Sequence, residues 1–162
     1  MDYLSFIKNK IVTDKENLFS TLNQWRFKNE KIVFTNGCFD IVHKGHIEYL
    51  AQAAALGTKL VVGLNTDTSV KRLKGEKRPI NNQEARAILL SALIFVDKIV
   101  LFDEDTPYEL IKYIQPDILV KGKDYKPEQI VGYDIVKNKG GEIITIDLTA
   151  GYSTTSILNK LQ

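Results

Sequence analysis

The chain has 162 residues, of which 44% are hydrophobic and 26% are charged. This composition is typical of one globular domain with its own core, and it excludes a disordered chain, which would be poorer in apolar residues. Lys and Arg number 22 against 20 Asp and Glu, and the resulting net charge of +2 gives no reason to expect nucleic acid or a membrane surface as a partner.

Cysteine content and apolar run length indicate the compartment. Cys38 is the one cysteine in the sequence, which rules out an intramolecular disulfide and favours a reducing environment. Residues 1–5 lack the basic-then-apolar order of a signal peptide. The longest uncharged apolar stretch, Ala87–Val96, is about half of the ~20 residues that a membrane span needs. We therefore expect a soluble, cytoplasmic protein.

Helical and strand patterns alternate along the chain. A helix is predicted over 14–28, and five apolar runs indicate strands that are buried on both faces. The predicted strands are Lys31–Thr35, Lys59–Leu64, Lys98–Phe102, Ile118–Val120 and Glu142–Ile146. The other predicted helices are Ile47–Ala55 with Gly57 as its C-cap, Glu84–Leu93, Pro107–Ile114 with Thr106 as its N-cap, and Ser153–Leu161.

This alternation predicts an α/β fold: a single-domain, Rossmann-like, doubly wound parallel sheet of five strands with helices on both faces. Residues 29–162 would form the core, and residues 1–28 an N-terminal helical extension that covers the sheet or builds a dimer contact. Ligands of such sheets bind outside the carboxyl ends of the strands. The residues that follow each strand are therefore the candidate site.

Both histidines follow the first predicted strand, where His43 and His46 stand three residues apart at the start of a helix. That spacing puts both imidazoles on one helix face, and Gly45 between them lets a ligand approach the backbone. A helix N-terminus adds unpaired N–H groups, so the pattern predicts a phosphate-chain site. The alternatives are two surface histidines without a function, or a metal site with Cys38 as a third ligand.

Charged residues follow the second strand. Asp67 could bind a sugar hydroxyl or cap the next helix, and Arg86 could reach an acidic substrate or pair with Glu84. The tract 71–78 holds five basic residues. It is suited to clamping phosphates at a transition state, with a solvated loop or a nucleic-acid contact as the alternatives.

The last two strands are also followed by polar residues. Asp124, just beyond Gly122, could read a base or ribose or could stabilise its own turn. Four hydroxyl side chains at 153–156 are more than helix capping requires, so a second phosphate site is predicted there. The P-loop and the G-x-G-x-x-G dinucleotide signatures are absent from the sequence.

The string G-C-F-D-x-x-H-x-G-H at 37–46 resembles the nucleotidyltransferase superfamily that carries the H-x-G-H signature. The strings at 78–86, 116–125 and 151–157 resemble most the heptose-1-phosphate adenylyltransferase branch, the nucleotidyltransferase half of bacterial ADP-heptose synthase. A chain of this length would be the type that stands apart from the sugar kinase. Ile94 and Leu158 stand where cytidylyltransferases or other members often carry a basic residue, which argues against the cytidylyl branch.

The resemblance implies a reaction of ATP with D-glycero-β-D-manno-heptose 1-phosphate, with Mg²⁺ held mainly by phosphates and no metal ligands from the protein. It further implies a homodimer. The implied catalytic residues are His43, His46 and Lys74. The implied nucleotide site comprises Cys38, Phe39, Asp40, His43, Gly45, His46, Gly122, Asp124, Tyr152, Ser153, Thr154 and Thr155. The implied acceptor site comprises Asp67, Lys71, Arg78 and Arg86. The rival functions are a cytidylyltransferase for glycerol 3-phosphate or a related alcohol phosphate, a flavin-making adenylyltransferase, a non-catalytic nucleotide sensor and an RNA-binding module.

Overall fold

A single parallel sheet organises the residues that the computed structural model describes, which are 2–149 and 151–160. Its six strands run in the order β1-β4-β3-β2-β5-β6. The strands are β1 Ile11–Val12, β2 Ile32–Gly37, β3 Lys59–Asn65, β4 Lys98–Phe102, β5 Ile118–Gly122 and β6 Glu142–Ile146. The helices are α1 Tyr3–Lys8, α2 Lys15–Phe27, α3 Lys44–Ala54, α4 Asp67–Lys74, α5 Gln83–Ser91, α6 Tyr108–Ile114, α7 Tyr133–Asn138 and α8 Thr154–Asn159.

Helices cover both faces of this sheet, as the sequence predicted. Residues of α3 and α5 pack on one face, in a cluster that includes Leu50 and Leu90. Residues of α2, α6 and α7 pack on the other face, where Leu22 and Ile111 are fully buried. The central strands are apolar on both sides because each side meets a helix layer.

The N-terminal region differs from the prediction. The helix predicted over 14–28 is present as α2, but the region also contributes a sixth strand, in which Ile11 and Val12 pair in parallel with Ile99 and Val100 of β4. Two residues carry no recognisable strand pattern, which is why the sequence did not predict this element.

Some helix boundaries also differ. The helix predicted over Pro107–Ile114 begins at Tyr108 with Pro107 at the N-cap position, so Thr106 is not its cap. Helices α1, α4 and α7 were not predicted, and part of the basic tract 71–78 lies on α4. The predicted end of the last helix, Leu161, lies outside the described residues. Among the residues described, no helix combines the length and apolarity that crossing a membrane requires.

The sheet opens between β2 and β5, the neighbouring strands on either side of the point where the strand order reverses. These strands pair only at Val33–Ile118 and Phe34–Leu119. By contrast, the β2–β3 ladder continues to Gly37–Leu64. The strands thus separate toward their carboxyl ends, which creates a crevice at the place where open α/β sheets bind ligands.

The packing of α2 yields a stability prediction. Leu22 is fully buried against the sheet, whereas Phe27 on the same helix is 89% exposed. We expect Leu22→Ala to lower the free energy of unfolding by about 2–5 kcal/mol, because it leaves a cavity in the core. Phe27→Ala should change it by no more than about 0.5 kcal/mol. Urea denaturation followed by circular dichroism compares the two variants, and equal losses would contradict the described packing of α2.

Candidate active site

The crevice between β2 and β5 leads into a cavity of about 480 Å³. It brings together most of the site residues predicted from the sequence, namely Cys38, Phe39, Asp40, His43, Gly45, His46, Lys74, Arg78, Gly122, Asp124, Tyr152, Ser153, Thr154 and Thr155. It is also lined by residues that the sequence did not single out, namely Asn36, Gly37, Tyr49, Asn65, Lys121, Tyr125, Leu148 and Thr149. A larger groove of about 650 Å³ lies beside β1, β4 and α6, but neither histidine nor the cysteine lines it.

The two histidines stack at the start of α3. His43 is the N-cap residue, and its ring lies 3.8 Å from that of His46, centroid to centroid, at an interplanar angle of 22°. The backbone N–H of His43 donates to Nδ1 of His46 at 3.4 Å. Because Nδ1 accepts, the proton of a neutral His46 ring sits on Nε2, which is the nitrogen that can act as a donor.

Gly45 makes room for this stack. A Cβ atom there would lie 3.1 Å from Cε1 and Nδ1 of the His43 ring and 3.3 Å from Cβ of Tyr152. The missing side chain therefore accommodates its own neighbours, in addition to the ligand approach expected from the sequence.

Burial sets the charge of both imidazoles. It lowers the pKa of His46 to about 4, with a further contribution from the adjacent His43. Burial also lowers the pKa of His43. Both rings are consequently neutral at pH 7 and offer N–H donors, and an anionic ligand would favour their protonated forms.

Asp40 and Arg78 line the cavity but engage each other. The Asp40 carboxylate accepts from Nε of Arg78 at 2.6 Å and from the backbone N–H groups of Ile80 and Asn81 at 2.8 and 2.9 Å. Burial alone would raise the pKa of Asp40, but these hydrogen bonds and the Arg78 charge outweigh it and hold the pKa below its usual range. The pair fastens the loop before α5 to the turn that carries the histidines.

Arg86 lies beneath the cavity instead of in it. The side chain is fully buried, and its guanidinium donates to Oδ1 of Asp67 at 2.7 Å. It also donates to the backbone oxygens of Cys38, Asn65 and Asn81 at 2.7, 2.9 and 3.0 Å. The two alternatives stated for Arg86, an acidic substrate and Glu84, are replaced by this network.

Asp67 likewise forms an ion pair within the protein, and the prediction that it caps α4 is wrong. Thr66 is the N-cap of α4, so the Asp67 carboxylate is not the cap, and it pairs with Arg86. Neither Asp67 nor Arg86 lines the cavity.

The basic tract divides because its first part is helical. Lys74 faces the cavity, whereas Lys71, one turn earlier, does not line it. Arg72 pairs with Asp105 and Asp103 at 3.0 and 3.3 Å. The position of each basic residue on α4 therefore determines whether its side chain can contact a ligand in the cavity.

Cys38 is poorly suited to the metal alternative. Its Sγ lies 3.9 Å from Oδ1 of Asn65, and burial raises the pKa of the thiol. Over the described parts of the chain, no group of three or more His, Cys, Asp or Glu side chains is arranged to hold a metal ion.

The C-terminal wall of the cavity is the start of α8. Ser153 caps this helix by accepting from the N–H of Ser156 at 3.0 Å. The hydroxyl of Ser156 completes a capping box by accepting from the N–H of Ser153 at 3.4 Å. Capping therefore accounts for two hydroxyls, while Thr154 and Thr155 line the cavity.

A doubly wound sheet with two stacked imidazoles at the first strand-to-helix turn, above the switch-point crevice, defines a nucleotide-binding α/β protein of the H-x-G-H type. Residues 34–160 match the model of the Cytidylyltransferase-like family, and the chain belongs to this family of nucleotidyltransferases. The family resemblance predicted from residues 37–46 is thereby confirmed.

Two relatives carry the name Bifunctional protein HldE. The one from Wolinella succinogenes is 52% identical over 151 residues, which are 93% of this chain and 31% of that protein. The one from Campylobacter concisus is 60% identical over 133 residues, which are 82% of this chain and 27% of that protein. The chain thus spans less than a third of the length of these curated relatives.

One solved structure is also similar to this chain. The lipopolysaccharide core biosynthesis protein from Thermoplasma volcanium is 29% identical, with a TM-score of 0.59. The match covers 74% of this chain and 97% of that one.

The buried Arg86 network yields a second stability prediction. We expect Arg86→Ala to lower the free energy of unfolding by about 3–5 kcal/mol, because it strands a carboxylate and three backbone oxygens. Arg72→Ala removes an arginine whose ion pairs are exposed and should cost no more than about 1 kcal/mol. Chemical denaturation measures both, and a loss below that of Arg72→Ala would exclude the network as a stabilising element.

The low pKa of His46 predicts a pH dependence of stability. Between pH 6.5, where an unfolded histidine titrates, and about pH 4, the unfolded chain binds a proton that folded His46 does not. The histidine contribution to the free energy of unfolding is therefore flat above pH 7 and falls on acidification across this window. His46→Gln should remove that part of the decline, as seen in the difference between denaturation curves of the two proteins at several pH values. A difference that does not vary with pH would refute the assignment.

Proposed function

We propose that this chain is an adenylyltransferase that joins the AMP moiety of ATP to D-glycero-β-D-manno-heptose 1-phosphate and releases pyrophosphate. The observation that carries the proposal is the neutral His43–His46 stack at the N-terminus of α3, opening on a cavity that Lys74 and the start of α8 also line. The HldE relatives and the lipopolysaccharide core protein support the choice of acceptor, as do the sequence strings at 116–125 and 151–157.

In the proposed reaction, an oxygen of the sugar phosphate attacks the α-phosphorus of ATP in line. A P–O bond forms there, the bond to the bridging oxygen of the β-phosphate breaks, and pyrophosphate leaves with that electron pair. A phosphate oxygen is already a competent nucleophile, so catalysis consists of positioning and electrostatic stabilisation. No side chain need form a covalent intermediate.

Each group of the cavity then has a role. Nε2 of His46 donates to the phosphate oxygens on which charge grows, and His43 beside it assists. Lys74 neutralises the triphosphate from the α4 side, and the hydroxyls of Thr154 and Thr155 bind the β- and γ-phosphate oxygens. The walls formed by Phe39, Asp124 and Tyr152 enclose the base and ribose.

Magnesium enters this scheme with ATP as part of the substrate. Of the two carboxylates that line the cavity, Asp40 is engaged by Arg78 and two backbone N–H groups, which leaves Asp124. One carboxylate suits an ion that keeps its waters and is held mainly by phosphates. Mg²⁺ would supply neutralisation of the phosphate charge.

We further propose that the chain works as a homodimer in the cytoplasm. The family resemblance supports the dimer, and Ile94, which is 93% exposed in the turn after α5, offers apolar surface for one. The single cysteine supports a reducing compartment. Light scattering coupled to size-exclusion chromatography measures the mass in solution, and a monomer at micromolar concentration would refute the dimer.

The direct test is pyrophosphate release by the purified protein with Mg²⁺. Heptose 1-phosphate is offered with ATP and, separately, with CTP, and glycerol 3-phosphate serves as the second acceptor. We expect release with ATP and the heptose alone. Release with CTP or glycerol 3-phosphate would identify a cytidylyltransferase or another acceptor, and nucleotide binding without release would identify a sensor.

The role of His46 predicts a specific loss of rate. We expect His46→Ala to fold normally and to lower kcat by at least ~10²-fold, because it removes a donor aimed at the developing charge. Gln52→Ala, an exposed position on the same helix, is the matched control and should keep wild-type turnover. Initial rates of pyrophosphate release provide the measurement. Near-wild-type turnover of His46→Ala would rule out the assigned role.

A further inference from the structure

Lys121 is a cation in the cavity whose charge has no anionic partner among the described residues. It stands near the end of β5, and its Nζ donates to the amide oxygen Oδ1 of Asn36 at 2.5 Å. No ion pair among the described residues includes Lys121. Burial lowers its pKa to about 8, so the amine is still mostly charged at pH 7. Its hydrogen-bond partner is neutral, and the charge itself is unmatched.

Lys121 and Asn36 face each other across the opening between β5 and β2. The ladder between β2 and β5 ends at Phe34–Leu119, two residues before this pair. Beyond that point the strands separate, and both side chains line the cavity. The lysine amine thus lies at the topological switch point, where ligands of such sheets bind.

The pair lies on the sheet face opposite the histidine helix. Thr35 points toward α3, where its hydroxyl lies 2.8 Å from that of Tyr49. Strand residues alternate between faces, so Asn36 lies on the other face. A Cβ atom added to Gly63 would touch Asn36 Cβ at 3.1 Å and Leu110 Cδ2 of α6 at 3.2 Å, which places Asn36 on the α6 side.

This arrangement matches the needs of an in-line displacement. The attacking and leaving oxygens must lie on opposite sides of the phosphorus. The histidines and α8 approach a bound nucleotide from the α3 side, where the departing pyrophosphate is stabilised in the proposed function. The α6 side is then left for the attacking phosphate, a dianion that requires a positive partner.

We propose that Lys121, held by Asn36, binds the phosphate group of the acceptor sugar 1-phosphate and aligns it for attack on the α-phosphorus. This inference rests on the proposed function and adds to it the residue that recognises the acceptor. Lys121 keeps its proton throughout, and the bonds formed and broken are those already given. The acceptor is thereby defined chemically as a phosphate monoester, whatever sugar it carries.

Steady-state kinetics with Lys121→Met test the inference, with Lys123→Met as the matched control. Lys123 lies just past β5, is 64% exposed and pairs with Asp147 outside the cavity. We expect Lys121→Met to raise KM for heptose 1-phosphate by about 10- to 100-fold, the loss of one hydrogen bond between charged groups. KM for ATP should change by less than about 3-fold. Lys123→Met should stay within about 2-fold of wild type for both substrates.

The effect of Lys121→Met on folding can be measured separately from its effect on acceptor binding. Replacing a buried lysine that has no ion-pair partner with an apolar residue is not expected to destabilise the fold, so the thermal midpoint of Lys121→Met should equal or exceed that of wild type. Lys121→Gln, which can still donate to Asn36 but lacks the charge, is the second variant and should show the same rise in KM. An equal rise in both KM values, or no rise for the acceptor, would overturn the inference.

Direct binding distinguishes failure of this inference from failure of the proposed function. Titration calorimetry measures heptose 1-phosphate binding to protein saturated with a non-hydrolysable ATP analogue. One outcome is that wild type binds the sugar phosphate but releases no pyrophosphate, while Lys121→Met binds it at least about 10-fold more weakly. In that case the proposed reaction is wrong, but Lys121 still binds the phosphate group of the sugar. Equal binding by both proteins overturns the inference even if turnover is found. Absence of binding to wild type overturns both.

Discussion

The buried guanidinium of Arg86 is the interaction on which the rest of the site depends. It binds backbone oxygens at the ends of two central strands, those of Cys38 and Asn65, and a third at Asn81 before α5. The turn that carries the histidines is therefore fixed to the neighbouring strand and to the loop beside it. A buried charge is tolerated here because Asp67 balances it and because hydrogen bonds satisfy its donors. The cavity is preorganised by a residue that does not line it.

The positive side chains of this region fall into two classes that are distinguished by their partners. Arg86 and Arg78 are neutralised by Asp67 and Asp40, so they hold the architecture together. Lys74 and Lys121 line the cavity, and neither takes part in an ion pair among the residues described. Together with two neutral imidazoles and the carboxylate of Asp124, this leaves a cavity with two available positive charges and one negative charge. Burying the Lys121 amine without an ion-pair partner carries a desolvation cost, and a bound phosphate would offset that cost by supplying the anion.

Local patterns were enough to predict the sheet, most of its helices and the turn that carries the H-x-G-H residues, because a strand, a turn and a helix cap are all encoded within a few positions. Interactions between segments that are distant in the sequence could not be predicted from these local patterns. Arg86 was assigned to substrate or to Glu84 because most of its partners are distant in the sequence. Asp67 and the backbone oxygens of Asn65 and Cys38 all lie 19 or more residues away from it. Lys121 was overlooked because its position depends on Asn36, 85 residues away. The edge strand β1 was missed because two residues show no periodicity.

The short edge strand β1 has a consequence for aggregation. The outer side of β4 is occupied by Ile11 and Val12, and the N–H of Ile99 donates to the backbone oxygen of Lys10 at 2.9 Å. The Lys98 amine closes the end by donating to the backbone oxygen of Asn9 at 2.8 Å. Were this segment to detach, β4 would present a row of unsatisfied N–H and C=O groups flanked by apolar side chains, which is a template for strand addition between molecules. Two residues of sequence thus protect an apolar strand from aggregation.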